Sequence, residues 1–174
     1  FPLSKKNKYS FTNIAATIFL LIGIESFAQS FQFKNYSIED GLAGLEVSTL
    51  CQDDYGNIWL GSKGGGVSVF NGLDFYTYTK GLGLSGNYIN DILKDNNGDL
   101  WFCTNRGISV LNKEAMKFGG RPTLPFVNYS VFDGLPDEVV WTAFQDAEGV
   151  VWLGTNDGLS KVLKINTRDQ QSLK

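Results

Sequence analysis

The chain has 174 residues, 43% of them hydrophobic and 19% charged, with 15 Lys and Arg against 18 Asp and Glu and no histidine. That length holds one domain or part of one, and a net charge of -3 is the wrong sign for a nucleic-acid footprint. The missing histidine removes Ser-His-Asp and Cys-His catalysis, His-ligated zinc and a phosphoacceptor histidine from this chain.

The first segment reads as an export signal. Lys5, Lys6 and Lys8 form a basic start, Ile14 to Ile24 is an apolar run, and Ser26-Phe27-Ala28 puts small residues at a cleavage site. A spanning helix needs about 20 apolar residues, more than this run supplies. A buried core helix is the alternative. Removal of residues 1–28 leaves a mature chain from Gln29, and export permits a disulfide. The only thiols, Cys51 and Cys103, fall at non-equivalent places in the repeat described next, so two free, buried thiols are expected.

Residues 29–163 are organised by an internal repeat. Phe33, Asn35, Tyr36, Ser37, Asp40, Gly41 and Leu42 recur as Phe126, Asn128, Tyr129, Ser130, Asp133, Gly134 and Leu135. The match continues from Asp53, Gly56 and Trp59 to Asp146, Gly149 and Trp152. A third copy lies between them, with Gly81-Leu82, Asp95, Gly98 and Trp101. With anchors at Gly41, Gly81 and Gly134, the units lie near 41–80, 81–133 and 134–163.

Each unit reads as four short strands. The first is a beta-branched or apolar run such as Val47 to Cys51. It ends in an Asp-x-x-Gly turn, where Asp bonds backbone N–H groups and Gly supplies a positive φ. The second carries Trp59, Trp101 or Trp152, and a polar loop follows it. Third strands are Val67 to Phe70, Ile108 to Leu111 and Leu159 to Leu163. Fourth strands are Phe75 to Tyr78 and Phe126 to Phe132. A lead-in strand from Phe33 to Ile38 brings the count to twelve. Four antiparallel strands per unit with one Trp at a fixed place describe β-propeller blades, the rings packing between blades. The fold class is therefore all-β, a partial propeller. Three blades do not close a ring, so the chain reads as a truncated piece, with a polar tail at 164–174, or as a subunit that closes by association.

The repeated string Gly-Leu…Asp-x-x-Gly-x-(Ile/Leu/Val)-Trp-(Leu/Phe)…Gly-(Leu/Ile/Val)-Ser resembles the two-component regulator propeller repeat. That resemblance implies the N-terminal part of a periplasmic sensor region. Its parent would be a histidine kinase, often hybrid, anchored in the inner membrane. The implied partners are an oligosaccharide or other small-molecule ligand, the remaining blades, and the signalling domains of a longer parent. Neither nucleic acid nor a membrane surface is among them. No kinase core, cofactor or metal belongs to this segment, so it reads as non-catalytic. Cys103 departs from the pattern, standing where Gly61 and Gly154 stand in the other units.

Alternate turns of a meander fall at alternate ends, so the loops at the Gly-Leu anchors and those after the Trp strands share one face. That face gathers Lys63, Asn87, Tyr88, Asn105, Arg106, Trp141, Asn156 and Asp157 as candidate ligand contacts. Trp141 occupies the place of Ser48 and Asn90; it is either a sugar-stacking platform or extra core packing. The repeat residues Asp53, Gly56, Trp59, Asp95, Gly98, Trp101, Asp146, Gly149 and Trp152 read as structural. The insertion Lys113 to Pro125 sits at the opposite end and reads as a surface loop. The alternative functions are a sialidase-like propeller hydrolase and an exported interaction scaffold. Against the hydrolase, only Arg106, Arg121 and Arg168 exist for a carboxylate clamp.

Overall fold

The computed structural model describes residues 31–117 and 124–163. The expectations for the segment 1–28, for residues 118–123 of the insertion and for the tail 164–174 lie outside them. Residues 35 onward form one compact unit, and residues 31–34, the described part of the preceding unit, are exposed and irregular.

Among the described residues, eleven strands make three antiparallel sheets. The first blade holds β1 (Val47–Gln52), β2 (Ile58–Ser62), β3 (Gly66–Phe70) and β4 (Phe75–Tyr78). The second holds β5 (Ile89–Lys94), β6 (Leu100–Thr104), β7 (Gly107–Leu111) and β8 (Val127–Tyr129). The third holds β9 (Val140–Gln145), β10 (Val151–Thr155) and β11 (Gly158–Lys161). Each sheet is a meander, strand following strand in chain order. This is a partial β-propeller.

The expected twelfth strand is not formed. Residues 31–37 belong to no strand. Tyr36 instead packs its ring against Phe70 and Phe75, each at 5.3 Å between centroids. Ser37 then caps a 3₁₀ turn at Ile38–Asp40, its backbone N–H donating to Asp40 at 2.7 Å. Ser130 and Asp133 repeat that device after β8, so the fourth strand ends at Tyr129 rather than Phe132.

The anchor of the second unit is also displaced. Gly83, not Gly81, takes the left-handed position after the 3₁₀ turn, with φ of 109° against 108° at Gly41 and 103° at Gly134. Gly83 stands as far before Asp95 as Gly41 before Asp53. A side chain with a Cβ is strained at such a φ, so glycine is required there.

Two cores lie between the blades. Trp59 of the first blade is buried against Tyr78 and against Phe102 of the second, with centroids 6.2 and 5.5 Å apart. Trp101 is buried with Ile108, Val140 and Leu153 between the second and third. Trp152, the third equivalent, is partly exposed beneath Lys161 Nζ, 5.2 Å from its ring. Each buried indole contributes on the order of 2–3 kcal/mol.

Described ends of the insertion are not simple surface. Met116, on the short helix Lys113–Met116, and Leu124 are both buried in the first core beside Phe126. Cys103 is buried while Cys51 is only partly so, and both are free. Cys103 faces Asp91 across the strands, where the equivalent pairs are Thr49 with Gly61 and Thr142 with Gly154. A Cβ at Gly61 would meet Ile89 Cγ2 at 2.6 Å and the Thr49 methyl at 2.7 Å, so glycine is needed at that place in the first blade.

Candidate functional site

The repeated aspartates hold the blades' far end. Asp53 Oδ1 accepts from the backbone N–H groups of Tyr55 and Asn57, and its Oδ2 accepts from Trp59 Nε1 at 2.9 Å. Trp101 donates to Asp95 at 3.1 Å and Trp152 to Asp146 at 2.7 Å. The indole bond holds the Asp146 carboxyl below the usual carboxylate range. One carboxylate thus shapes the turn and orients the ring that packs on the next blade. Gly56, Gly98 and Gly149 take φ of 86°, 86° and 84° in these turns.

At the opposite end, loops of neighbouring blades are tied together. Gly64 and Gly66 N–H groups donate to Asn87 O at 3.1 and 2.8 Å, and Gly107 N–H to Glu138 O at 2.5 Å. Lys63 and Tyr88 form an isolated bridge. Each first strand carries a bulge at this end. The bulged Ser48 donates to Ile89 O of the second blade at 2.5 Å, and the bulged Asn90 to Val140 O of the third at 2.8 Å. Trp141 is the third bulged residue. Its Nε1 donates to Asn156 Oδ1 at 2.6 Å, and the residue is 52% exposed.

A cavity of about 360 Å³ opens here, lined by Lys63, Tyr88, Asn90, Asn105, Val139 and Trp141. Four candidate contacts therefore converge: Lys63, Tyr88, Asn105 and Trp141. Tyr88, 51% exposed, supplies a second aromatic surface. The other four do not line it. Asn87 spends its Oδ1 on Lys80 N–H at 2.6 Å, and Asn156 is engaged with Trp141. Arg106 is exposed with Nη1 3.9 Å from Glu138, and Asp157 is exposed on the loop after β10. Asn105 Oδ1 is buried without a hydrogen-bond partner, against Gly86, where a Cβ would come within 2.5 Å of it.

Sequence reasoning missed Asn90 and Asp91. Asn90 is legible as the polar equivalent of Ser48 at the bulge. Asp91, half-buried on the inner strand, accepts from Thr142 Oγ1 at 2.8 Å and Ala143 N–H at 3.2 Å, joining two blades. The described residues hold no cluster of three or more His, Cys, Asp or Glu fit for a metal ion.

The extracellular domain of a hybrid two component system of B. thetaiotaomicron has a similar fold, with a TM-score of 0.66 at 24% identity over 78% of this chain. A catalytically inactive virginiamycin B lyase of Staphylococcus aureus, solved with quinupristin, matches with a TM-score of 0.51 at 17% identity over 78% of this chain. This chain spans 18% of the first protein and 45% of the second, and at these identities the likeness is one of fold. No curated protein matches the sequence. The family model described as two component regulator propeller matches residues 41–64, 83–106 and 134–157, each match opening on the left-handed glycine of its blade. The chain thus carries three copies of the two-component regulator propeller repeat in one structural register.

Proposed function

We propose that this chain is the ligand-reading, non-catalytic propeller segment of an exported two-component receptor, and that its ligand is an oligosaccharide. One observation carries the reading: the mouth cavity is bordered by two half-exposed aromatics, Tyr88 and Trp141, with the amides of Asn90 and Asn105 beside them. A sugar ring offers an apolar face to an aromatic and hydroxyls to amides, and a cavity of this size suits about one or two sugar units. Export to the periplasm, the inner-membrane parent, its further blades and its kinase domains follow from the family and belong to the same proposal. The non-catalytic part draws support from chemistry. The inactive lyase carries a histidine-to-alanine change, and this chain has no histidine.

The test is Trp141→Ser in the full chain, read by melting temperature and by titration with an oligosaccharide library. Loss of binding by about 1 kcal/mol or more with melting unchanged supports the platform. A large fall in melting temperature with affinity unchanged makes Trp141 a packing residue and ends the proposal for this cavity.

A further inference from the structure

The charges around the cavity are arranged in a way that bears on which saccharides it accepts. Lys63, the cation in its wall, has Glu46 Oε1 2.7 Å from its Nζ. The neighbouring Arg106 has Glu138 Oε2 3.9 Å from its Nη1. Asp137 adds a further carboxylate, its Oδ1 accepting from Val139 N–H at 2.6 Å, and Asp157 adds another on the loop after β10. Lys63 and Arg106 each have an acidic companion, the exposed Lys80 at the same end has none among the described residues, and the four carboxylates named outnumber these three cations.

We infer that this mouth selects saccharides without acidic groups, rejecting uronate-bearing, sialylated or sulfated ones. The inference rests on the oligosaccharide reading and deepens it to a substrate class. An anionic sugar entering the cavity gives up water and needs a cation with free donors in return. Lys63 is already paired with Glu46, so the sugar would compete with a carboxylate that is tethered in place. Glu138, Asp137 and Asp157 lie on adjoining loops. Like charge on those loops works against the acidic ligand, and specificity of this kind is set by what repels the wrong ligand as much as by what holds the right one. A neutral ring meets no such opposition: it needs only the faces of Tyr88 and Trp141 and the amide groups.

The experiment uses the full chain on an array of matched oligosaccharides, each neutral member paired with a counterpart whose C6 hydroxymethyl is a carboxylate, such as mannan with mannuronan. Binding confined to neutral members, or extending to amine-bearing ones, is the expected result. The double variant Glu46→Gln, Glu138→Gln should raise the acidic-to-neutral binding ratio about threefold, the scale of exposed charge pairs. Best binding to acidic members, or a ratio unmoved by the variant, overturns the inference and leaves the oligosaccharide reading standing. No binding to any member of either kind overturns that reading itself.

Discussion

Trp141 Nε1 lies 2.6 Å from Asn156 Oδ1, so the side chain of Asn156 acts on the aromatic and not on the cavity. A platform with a fixed plane binds a ring more tightly than one that turns freely, because ordering it on binding costs about 0.5–1.5 kcal/mol. Asn156→Ala should therefore weaken oligosaccharide binding severalfold while leaving the melting temperature nearly unchanged, since Asn156 is exposed. The indole N–H resonance of Trp141 should move at the same time. A resonance that stays in place, with affinity intact, would show that the bond does not hold the ring.

The buried aspartates are expected to matter far more to folding. Asp95 accepts from Asn97 and Asp99 N–H groups, each at 2.9 Å, and from Trp101 Nε1 at 3.1 Å. Hydrogen bonds to a charged group are worth about 1.5–3 kcal/mol each, so Asp95→Ala should cost about 3 kcal/mol or more in chemical denaturation. Asp95→Asn keeps one acceptor oxygen and should cost less. Equal losses for the two variants would contradict the assignment.

These features differ in how far a linear reading reaches them. The alternation of Asp-x-x-Gly turns with Trp strands determines the meander, and β2, β6 and β10 lie where the Trp residues place them. The link from each Asp to its own indole is a contact six residues apart, visible only once the hairpin brings the strands together. The second anchor is ambiguous in the sequence because Gly81 and Gly83 both precede leucine. What separates them is backbone conformation: Gly83 has the positive φ and Gly81 does not. At the mouth, topology alone brings Lys63, Tyr88, Asn105 and Trp141 together, but which donors remain available depends on local bonds such as Asn87 with Lys80. The burial of Met116 and Leu124 depends on the space beside Phe126, which no pattern in the insertion encodes.

The two thiols should differ in reactivity. The thiolate is the nucleophile, and burial pushes the Cys103 thiol well above its ordinary value, with the Asp91 carboxylate adding to the effect. Cys51 is raised as well, first by burial, but its side chain is partly exposed. An alkylating reagent at neutral pH should label Cys51 first in the native chain and Cys103 only after unfolding, as followed by peptide mass spectrometry. Labelling of Cys103 at the rate of Cys51 would mean that the second seam between blades opens freely.

The end opposite the mouth carries a seam that should weaken in acid. Asp54 accepts from Lys113 Nζ at 2.6 Å and from Lys94 Nζ at 3.0 Å, joining a first-blade turn to the second blade. Those hydrogen bonds, Lys113 first, hold its carboxyl below the usual range. A carboxyl lowered by folding contributes stability that is present above its unfolded value, near ~3.9, and is lost as pH falls through the lower folded value. Asp146, lowered by Trp152, acts in the same direction. Asp99 acts in the opposite one: burial raises its value, so its contribution is present below the unfolded value and is lost as pH rises through the folded one. Through Asp54 and Asp146 stability should fall as pH drops below about 4, with Asp99 working against that fall. Asp54→Asn should flatten that fall in urea titrations between pH 5 and 2, and because the pair is exposed the change should also shrink in high salt. A wild-type slope retained in the variant would show that this seam carries none of the acid sensitivity.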